Sequence, residues 1–296
     1  MTNVAPEMAR ASVAAAALTD ASRPKRKANW VFRFAVGWLV LVVVVCALGE
    51  LLPFVKDPNS RDAQAISQGP SWDHWFGTAS FGQDVFSRVV VGGRISLFVG
   101  FAVTAIGIGI GGLLGLLAGF LRGWVDAVVR VIISVTLAIP ALLLVIFIVA
   151  IRDQSLTNVI IAVSLLAIPA LARIVRGSTL QVADRDYVKA ARVLGVRKTQ
   201  ILVREVLPNV MPTLVSFAFL TFGIVLVAES SLAFLSLSVQ APNITWGSII
   251  GEGRIKFSDT PHMVFLPGAI LFLTVLSLNF VGDQLLKRFD IKEAGL

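Results

Sequence analysis

Six stretches of the chain lack charged residues and are long enough to be membrane-spanning helices. They lie at 34–49, 95–121, 131–151, 154–172, 206–228 and 263–282. A helix needs about 20 mainly apolar residues to cross a hydrocarbon core of roughly 30 Å. The first stretch is the shortest, and Trp30 and the stem of Arg33 extend it at the interface. The pattern predicts an all-α, polytopic membrane protein with six transmembrane helices.

Composition and charge support this class and predict an orientation. Hydrophobic residues make up 56% of the chain and charged residues 15%, which lies outside the range of soluble domains. With six spans, nineteen Lys and Arg residues fall on the side of the termini and seven on the other. The positive-inside rule therefore places both termini in the cytoplasm. The basic cluster at 23–27 suits anionic lipid, so we expect no nucleic-acid partner.

The spans divide the chain into five predicted regions. These are a mobile, basic cytoplasmic N-terminus (1–29), a first transmembrane helix (30–52), an extracytoplasmic loop region (53–92), a transmembrane core (93–284) with a second extracytoplasmic loop at about 236–262, and a cytoplasmic tail (285–296). Loops of this length usually carry function. A cap over the outer mouth and a docking surface for a substrate-loaded partner fit their aromatic and polar residues equally well.

A polar, helix-rich block at 187–209 separates the fourth and fifth apolar runs. Ala190, Ala191 and Leu194 fall on one predicted helical face, and Gly195 ends the helix. Pro208 marks the start of the next helix. The block predicts a short helix, at about 184–197, that lies along the cytoplasmic membrane surface and offers a small apolar contact to another protein.

Glycines at four-residue spacing run along the second span. They are Gly107, Gly111, Gly115 and Gly119. Glycines in this register leave a groove on one helix face, where another backbone can approach closely. Residues 107–112 also match G-x-G-x-x-G, but they lie in the middle of a bilayer-length run and lack the preceding strand that a dinucleotide site needs.

No pattern predicts a catalytic, cofactor-binding or metal-binding residue. The chain has no phosphate-binding G-x-x-x-x-G-K-[ST] loop and no H-E-x-x-H, and its two histidines, His74 and His262, lie in the outward loops. Spacing alone does not exclude a scattered Ser, His and Asp triad. A membrane-bound enzyme or scaffold therefore has no positive support. If the protein performs active work, another chain must supply the energy.

Glu229 is the one acidic residue set well inside a span. A carboxylate there is costly and indicates either a hydrogen bond between helices or a contact along a translocation path. These two interpretations stay open. A proton-coupled carrier would need more such groups deep in the bundle, so the sequence disfavours an ATP-independent channel or carrier.

Several segments resemble the permeases of bacterial ATP-binding-cassette (ABC) importers. The segment 189–195, followed by Leu207 and Pro208, is similar to their EAA loop. Further likenesses to the dipeptide, oligopeptide and nickel branch, and to its C-type subunit, lie at 74–78, 82–88, 93–97, 229–235, 246–247 and 267–283. Lys189 differs from the family, because the motif has glutamate there.

The resemblance implies a pore subunit for peptides in a bacterial cell membrane, with nickel, haem or another small solute as alternatives. It implies a heterodimer with a B-type permease, two ATPase subunits or one fused ATPase that bind ATP and Mg, and an extracytoplasmic substrate-binding protein. The implied ATPase-coupling residues are Asp186, Tyr187, Lys189, Ala190, Ala191, Leu194, Gly195 and Pro208. Because Lys189 reverses the motif's charge, we expect the shape of this helix to matter more than the charge at 189.

Overall fold

The computed structural model describes residues 30–151, 154–240 and 242–293. Its helices are α1 (Trp30–Leu48), α2 (Val85–Leu121), α3 (Gly123–Ala138), α4 (Ala141–Ile151), α5 (Leu156–Ala183), α6 (Asp186–Val193), α7 (Lys198–Phe234), α8 (Trp246–Ile255) and α9 (His262–Glu293). Within those ranges the only β-type pairing is an isolated bridge between Thr78 and Asp84. The predicted all-α class is confirmed. The mobile N-terminus predicted at 1–29 lies outside the described residues.

Five helices in the described part of the chain are long and apolar enough to cross a membrane, and the third predicted span is a bent pair. The axes of α3 and α4 meet at 84° around Pro140. Proline lacks an N–H and its ring clashes with the carbonyl four residues earlier, so it breaks the helix. Ile139, just before it, is extended, with φ −79° and ψ 129°.

The bent pair crosses from one end of the bundle to the other. Before α3 begins, Arg122 Nη2 lies 2.6 Å from Oδ1 of Asp184, which follows the end of α5. After α4, the side chain of Gln154, which precedes α5, accepts a hydrogen bond from Gln240. The pair therefore begins beside one end of α5 and finishes beside the other. Counted as one span, it brings the spans of the described residues to six.

Regular α-helix restarts at Leu207 with Pro208 in its first turn, close to the predicted restart. It continues a helix that has already begun at Lys198, so α7 runs from Lys198 to Phe234 without a break. Residues Leu202–Val206, just before the proline, are π-helical. Proline disturbs the hydrogen bond to the residue four positions earlier, and a local π-segment is one way in which a helix accommodates such a disturbance.

The other boundaries differ from the predicted ones where polar residues continue a helix. α2 begins at Val85, eight positions before the predicted core, because Asp84 caps it by accepting a hydrogen bond from the Ser87 N–H at 2.8 Å. The second outward loop contains α8, whose start carries a reciprocal capping box between Thr245 and Ser248. α9 continues into the predicted tail as far as Glu293.

The glycine groove on α2 receives α5. A Cβ added at Gly111 would lie 2.4 Å from the Ile168 carbonyl oxygen, and one added at Gly115 would lie 2.5 Å from that of Ala172. Backbones approach this closely only where side chains are absent. The groove predicted from the sequence therefore holds two spans in direct backbone contact.

The two long segments outside the spans fold onto the ends of α2 and α8, and we name this part of the bundle the loop end. Trp246 is fully buried and its indole N–H donates to the Val89 carbonyl at 2.8 Å. Both terminal nitrogens of Arg88, which is itself buried, contact the carboxylate of Glu252 at 2.7 and 2.8 Å. These bonds tie the second segment to α2, and the first segment joins them where His262 Nε2 lies 3.0 Å from the Thr78 carbonyl oxygen. Trp72 of the first segment remains 96% exposed.

Candidate functional site

The short helix α6 lies at the opposite end of the bundle, which we name the α6 end. Its position is fixed by Val188, the one fully buried residue of the helix. Val188 packs in an apolar cluster with Phe120 of α2, Val182 of α5 and Ile201 of α7. Full burial of a valine side chain stabilises by about 1.5–3 kcal/mol. Val188 is therefore the main anchor that holds α6 against three spans.

The C-terminus of α6 is closed by a Schellman motif. Gly195 has φ +75°, its N–H donates to the Arg192 carbonyl, and the N–H of Val196 donates to the Ala191 carbonyl, each at 3.1 Å. At the other end, Asp186 stands in the first turn, where a negative charge favours the helix dipole, and Arg192 does the same in the last turn. α6 has eight residues, against the fourteen predicted, and the Schellman motif ends it before Gly195.

The structure separates the three residues that were predicted to share one face. Ala190 is exposed, whereas Ala191 is half-buried against the same cluster as Val188. Ala191 therefore faces the bundle, one position round the helix from Ala190. The apolar tip of α6 is formed by Val193 and Leu194, which are 87% and 81% exposed. Sequence reasoning missed Val193, although an apolar residue beside Leu194 at a helix end was a usable signal.

The remaining predicted coupling residues differ in their surroundings. Lys189 Nζ lies 3.4 Å from Oδ1 of Asp186 on the solvent side of the helix. Exposed ion pairs of this kind contribute about 0–1 kcal/mol, so Lys189 adds little to the stability of α6. Tyr187 is 39% exposed on the same helix. Pro208 is exposed but lies within α7, ten residues after its start.

The turn between α2 and α3 is strained at Arg122. Its φ of 57° and ψ of −159° lie in a region that is essentially restricted to glycine. Holding another residue there costs about 1–3 kcal/mol, and such strain clusters at functional sites. Gly123 follows with φ +59°. The end of one apolar run at 121 and the start of the next at 131 predicted a turn here, but not the strained backbone of Arg122.

Glu229 lies near the loop end of α7 and is fully buried. The Ser238 hydroxyl donates to its Oε1 at 2.9 Å, and the hydroxyls of Ser96 and Thr245 lie close by. Its carboxylate therefore joins α7 to the second outward segment and to α2. This arrangement favours the helix-pairing interpretation over a contact along the path, because the side chain has no exposed surface in this conformation.

We expect Glu229→Ala to destabilise the fold without changing transport per folded molecule. The change leaves the buried Ser238 hydroxyl without its acceptor, which costs about 1–3 kcal/mol. Thermal unfolding in detergent measures the loss, and Glu229→Gln, which keeps an acceptor oxygen, serves as the matched control. Normal stability combined with lost transport would favour the pathway interpretation instead.

A cavity of about 880 Å³ opens at the loop end. It carries charges of both signs next to apolar side chains, and its lining includes Lys56, Asp57, Arg94, Phe98, Asn243 and Ile244. Ligand pockets for small molecules fall in the range of about 300–1,000 Å³. The cavity is thus large enough to admit a small solute from the side opposite α6. Among the described residues no group of three or more His, Cys, Asp and Glu side chains is placed to hold a metal ion.

Comparisons with known proteins place this architecture among transport proteins. The family model described as binding-protein-dependent transport system inner membrane component matches residues 111–292. The glutathione transport system permease protein GsiD of Escherichia coli O157:H7 is 39% identical over 258 residues, which cover 87% of this chain and 85% of the relative. The GsiD of Pectobacterium atrosepticum is 38% identical over 260 residues, or 87% of this chain and 86% of the relative.

A solved structure shares the fold at low sequence identity. A chain of the MetNI methionine ABC transporter, in an inward-facing conformation, superposes with a TM-score of 0.57 at 20% identity. The match covers 68% of this chain and 96% of the other. At this identity the likeness bears on the fold alone.

Proposed function

This chain belongs to the family of binding-protein-dependent transport system inner membrane components, and we propose that it forms half of the translocation pore of an ATP-driven peptide importer. As a member of that family it is a multi-pass permease subunit of an ABC importer. The proposal adds the peptide substrate, the orientation in the membrane, the partner chains and the residues that couple the pore to ATP hydrolysis.

The apolar tip of α6 is the observation that carries the proposal. Val193 and Leu194 are more than 80% exposed at the end of a helix that is otherwise rich in charge. The segment is polar and lies outside the spans, which favours contact with a protein over burial in the hydrocarbon core. An exposed apolar contact on a polar surface is typical of a protein interface. The partner proposed for it is a cytoplasmic ATPase subunit, and two such subunits or one fused chain would bind the ATP and Mg.

Charge supports the proposed orientation. The α6 segment from 173 to 204 carries eight Lys and Arg residues, and the positive-inside rule assigns such a segment to the cytoplasm. The loop-end cavity then faces the outside, where a solute delivered by a binding protein would enter. A second, B-type permease is proposed to complete the pore, as the resemblance to the C-type subunit of this branch implies.

Peptides are the proposed substrate class. The relatives from Escherichia coli and Pectobacterium are named for glutathione, which is itself a tripeptide. The mixed charge and apolar lining of the loop-end cavity suits a small zwitterion. Nickel, haem and other small solutes remain alternatives that the same experiment distinguishes.

Reconstitution in proteoliposomes tests the proposal. The chain is co-expressed with its B-type permease, ATPase and binding protein, and uptake of labelled glutathione, dipeptides and nickel is measured. We expect uptake of a peptide that requires ATP and stops when a non-hydrolysable ATP analogue replaces it. Uptake that continues without ATP would establish a carrier or channel. Purification of this chain alone, with no ATPase or second permease under any mild detergent condition, would contradict the importer assembly.

A further inference from the structure

Three side-chain contacts connect α6 and its flanks to residues 120–126, which end α2 and begin α3. We name residues 120–126 the α2–α3 turn. The contacts are Arg122 with Asp184, Asp126 with Arg176, and Phe120 with Arg192. The coupling segment is therefore held at both ends by a part of the chain to which it is not joined in sequence.

The contact between Asp126 and Arg176 is the best shielded of the three. Both Nε and Nη2 of Arg176 donate to the Asp126 carboxylate, the latter at 2.9 Å. The two side chains are 13% and 23% exposed. Paired hydrogen bonds between guanidinium and carboxylate fix orientation as well as distance. They hold the first turn of α3 to α5, two turns before α5 ends.

The other two contacts reach the two ends of α6. Asp184, two residues before α6, receives Arg122 Nη2 at 2.6 Å. The Arg192 guanidinium, in the last turn, lies 5.4 Å from the centre of the Phe120 ring, within the range of a cation–π interaction. A displacement of α6 towards or away from the bundle would therefore act on the α2–α3 turn at two points.

The strained backbone of Arg122 indicates that the arginine side chain is needed at this position. Glycine would adopt φ 57° and ψ −159° without strain. The chain has arginine there instead, although Gly123 shows that glycine occurs in the same turn. The strain is offset by the ion pair with Asp184 only in part, since an exposed pair stabilises weakly. The stability gained from the ion pair therefore does not explain why arginine stands at this position. We attribute to its side chain a role in positioning the turn.

From these contacts we infer that the α2–α3 turn is a second mechanical connection between α6 and the pore, and that Arg122 and Asp126 are its positioning residues. The inference rests on the proposed function, in which an ATPase moves α6. The backbone carries that motion to α5 and α7, which flank α6. The side-chain contacts carry it to α3, and through α3 to the bend at Pro140.

The bent pair is the part of the bundle where such motion would matter. α3 and α4 meet at 84°, and a break of this kind is where a helix pair can hinge. Only Val129 and Ile133 of α3 are buried within this chain. Its opposite face, with Val128, Val131 and Val135, is 50–61% exposed. Rotation of α3 about the turn would thus move a largely exposed helix whose internal packing is limited to one small cluster, where Val129 and Ile133 contact Ala118 and Ala172.

Arg122→Gly separates this role from a structural one. The substitution relieves the backbone strain but removes the contact with Asp184, so we expect the thermal stability to stay the same or rise. The number of ATP molecules hydrolysed per peptide transported should nevertheless increase. We expect an increase of only about threefold, because the exposed ion pair that is lost is a weak interaction. Arg122→Lys keeps the charge and should keep the wild-type ratio.

Asp126→Asn tests the shielded contact, and Arg130→Ala is its matched control. Asp126→Asn replaces charge-assisted bonds by weaker neutral ones and should raise the same ratio about tenfold. Arg130 pairs with Asp126 within α3, four residues on, and is 58% exposed, so its loss should leave the ratio unchanged. If Asp126→Asn does not fold, Arg122→Gly carries the test alone.

The outcomes distinguish this inference from the proposed function. Wild-type protein that shows no ATP-dependent uptake would overturn the proposed function. Coupled uptake in the wild type, with an unchanged ratio in both Arg122→Gly and a folded Asp126→Asn, would overturn the second connection. If Arg130→Ala hydrolyses as many ATP molecules per peptide as Asp126→Asn, the second connection would also be overturned. The increase would then depend on the charge of α3 and not on the contact between Asp126 and Arg176 of α5.

Discussion

Replacing Gly195 with valine is expected to lower ATP-driven uptake by at least about tenfold, because a β-branched residue in the left-handed region costs about 1–2 kcal/mol or more. Gly195 has φ +75° and closes the Schellman motif of α6. Valine would unwind this turn and so displace Val193 and Leu194, the apolar tip proposed to contact the ATPase. The uptake and the ATPase rate are measured in proteoliposomes.

The size of the new side chain is not the cause of this loss. A Cβ at Gly195 would meet nothing within 4 Å in the described structure. Gly195→Asn is therefore the informative control, since asparagine enters the left-handed conformation more easily than other residues with side chains. We expect it to keep most of the uptake. If asparagine fails as completely as valine, the glycine is required by the surface of the partner and not by its own backbone.

The apolar runs predicted the spans because lipid imposes a simple rule on composition. All six stretches coincide with helices that cross the bundle, or with the bent pair that does so. Pro140 stands in the third stretch at the position of the bend, but a proline does not by itself predict a break, since Pro169 lies inside the continuous α5. The angle of the bend depends on packing: Val129 and Ile133 of α3 pack near Ala172, whereas α4 packs on the other half of α5.

The site could be predicted only as far as local sequence determines it. Gly195 and the dipole-favouring charges of α6 act through neighbours in the chain, so a motif reveals them. Arg122 meets Asp184 62 positions away, and Asp126 meets Arg176 50 positions away. No periodicity connects such residues. The inward rotation of Ala191 was likewise hidden, because it follows from how Val188 enters the cluster below.

Gly115→Leu is expected to destabilise the fold by about 3 kcal/mol or more, the upper range for overpacking of a close contact. The first side-chain atom at this position would lie 2.5 Å from the Ala172 carbonyl oxygen and 2.9 Å from the Arg176 nitrogen. Backbone atoms cannot rotate away as a side chain does, so α2 and α5 would have to separate along much of their length.

Gly109→Leu is the matched control, because it makes the same change in the same helix. A Cβ there meets nothing within 4 Å, and leucine has a higher helix propensity than glycine. Thermal unfolding of the two variants in detergent should therefore diverge, with Gly109→Leu at or above the wild type. Equal stability would mean that α2 and α5 are not in backbone contact.

The same groove fixes the position of Arg176 relative to the α2–α3 turn. A Cβ added at Gly119 would lie 2.9 Å from the carbonyl oxygen of Arg176. Any Gly115→Leu protein that still folds should for that reason also hydrolyse more ATP per peptide, which links the packing of two spans to the contacts that position α3.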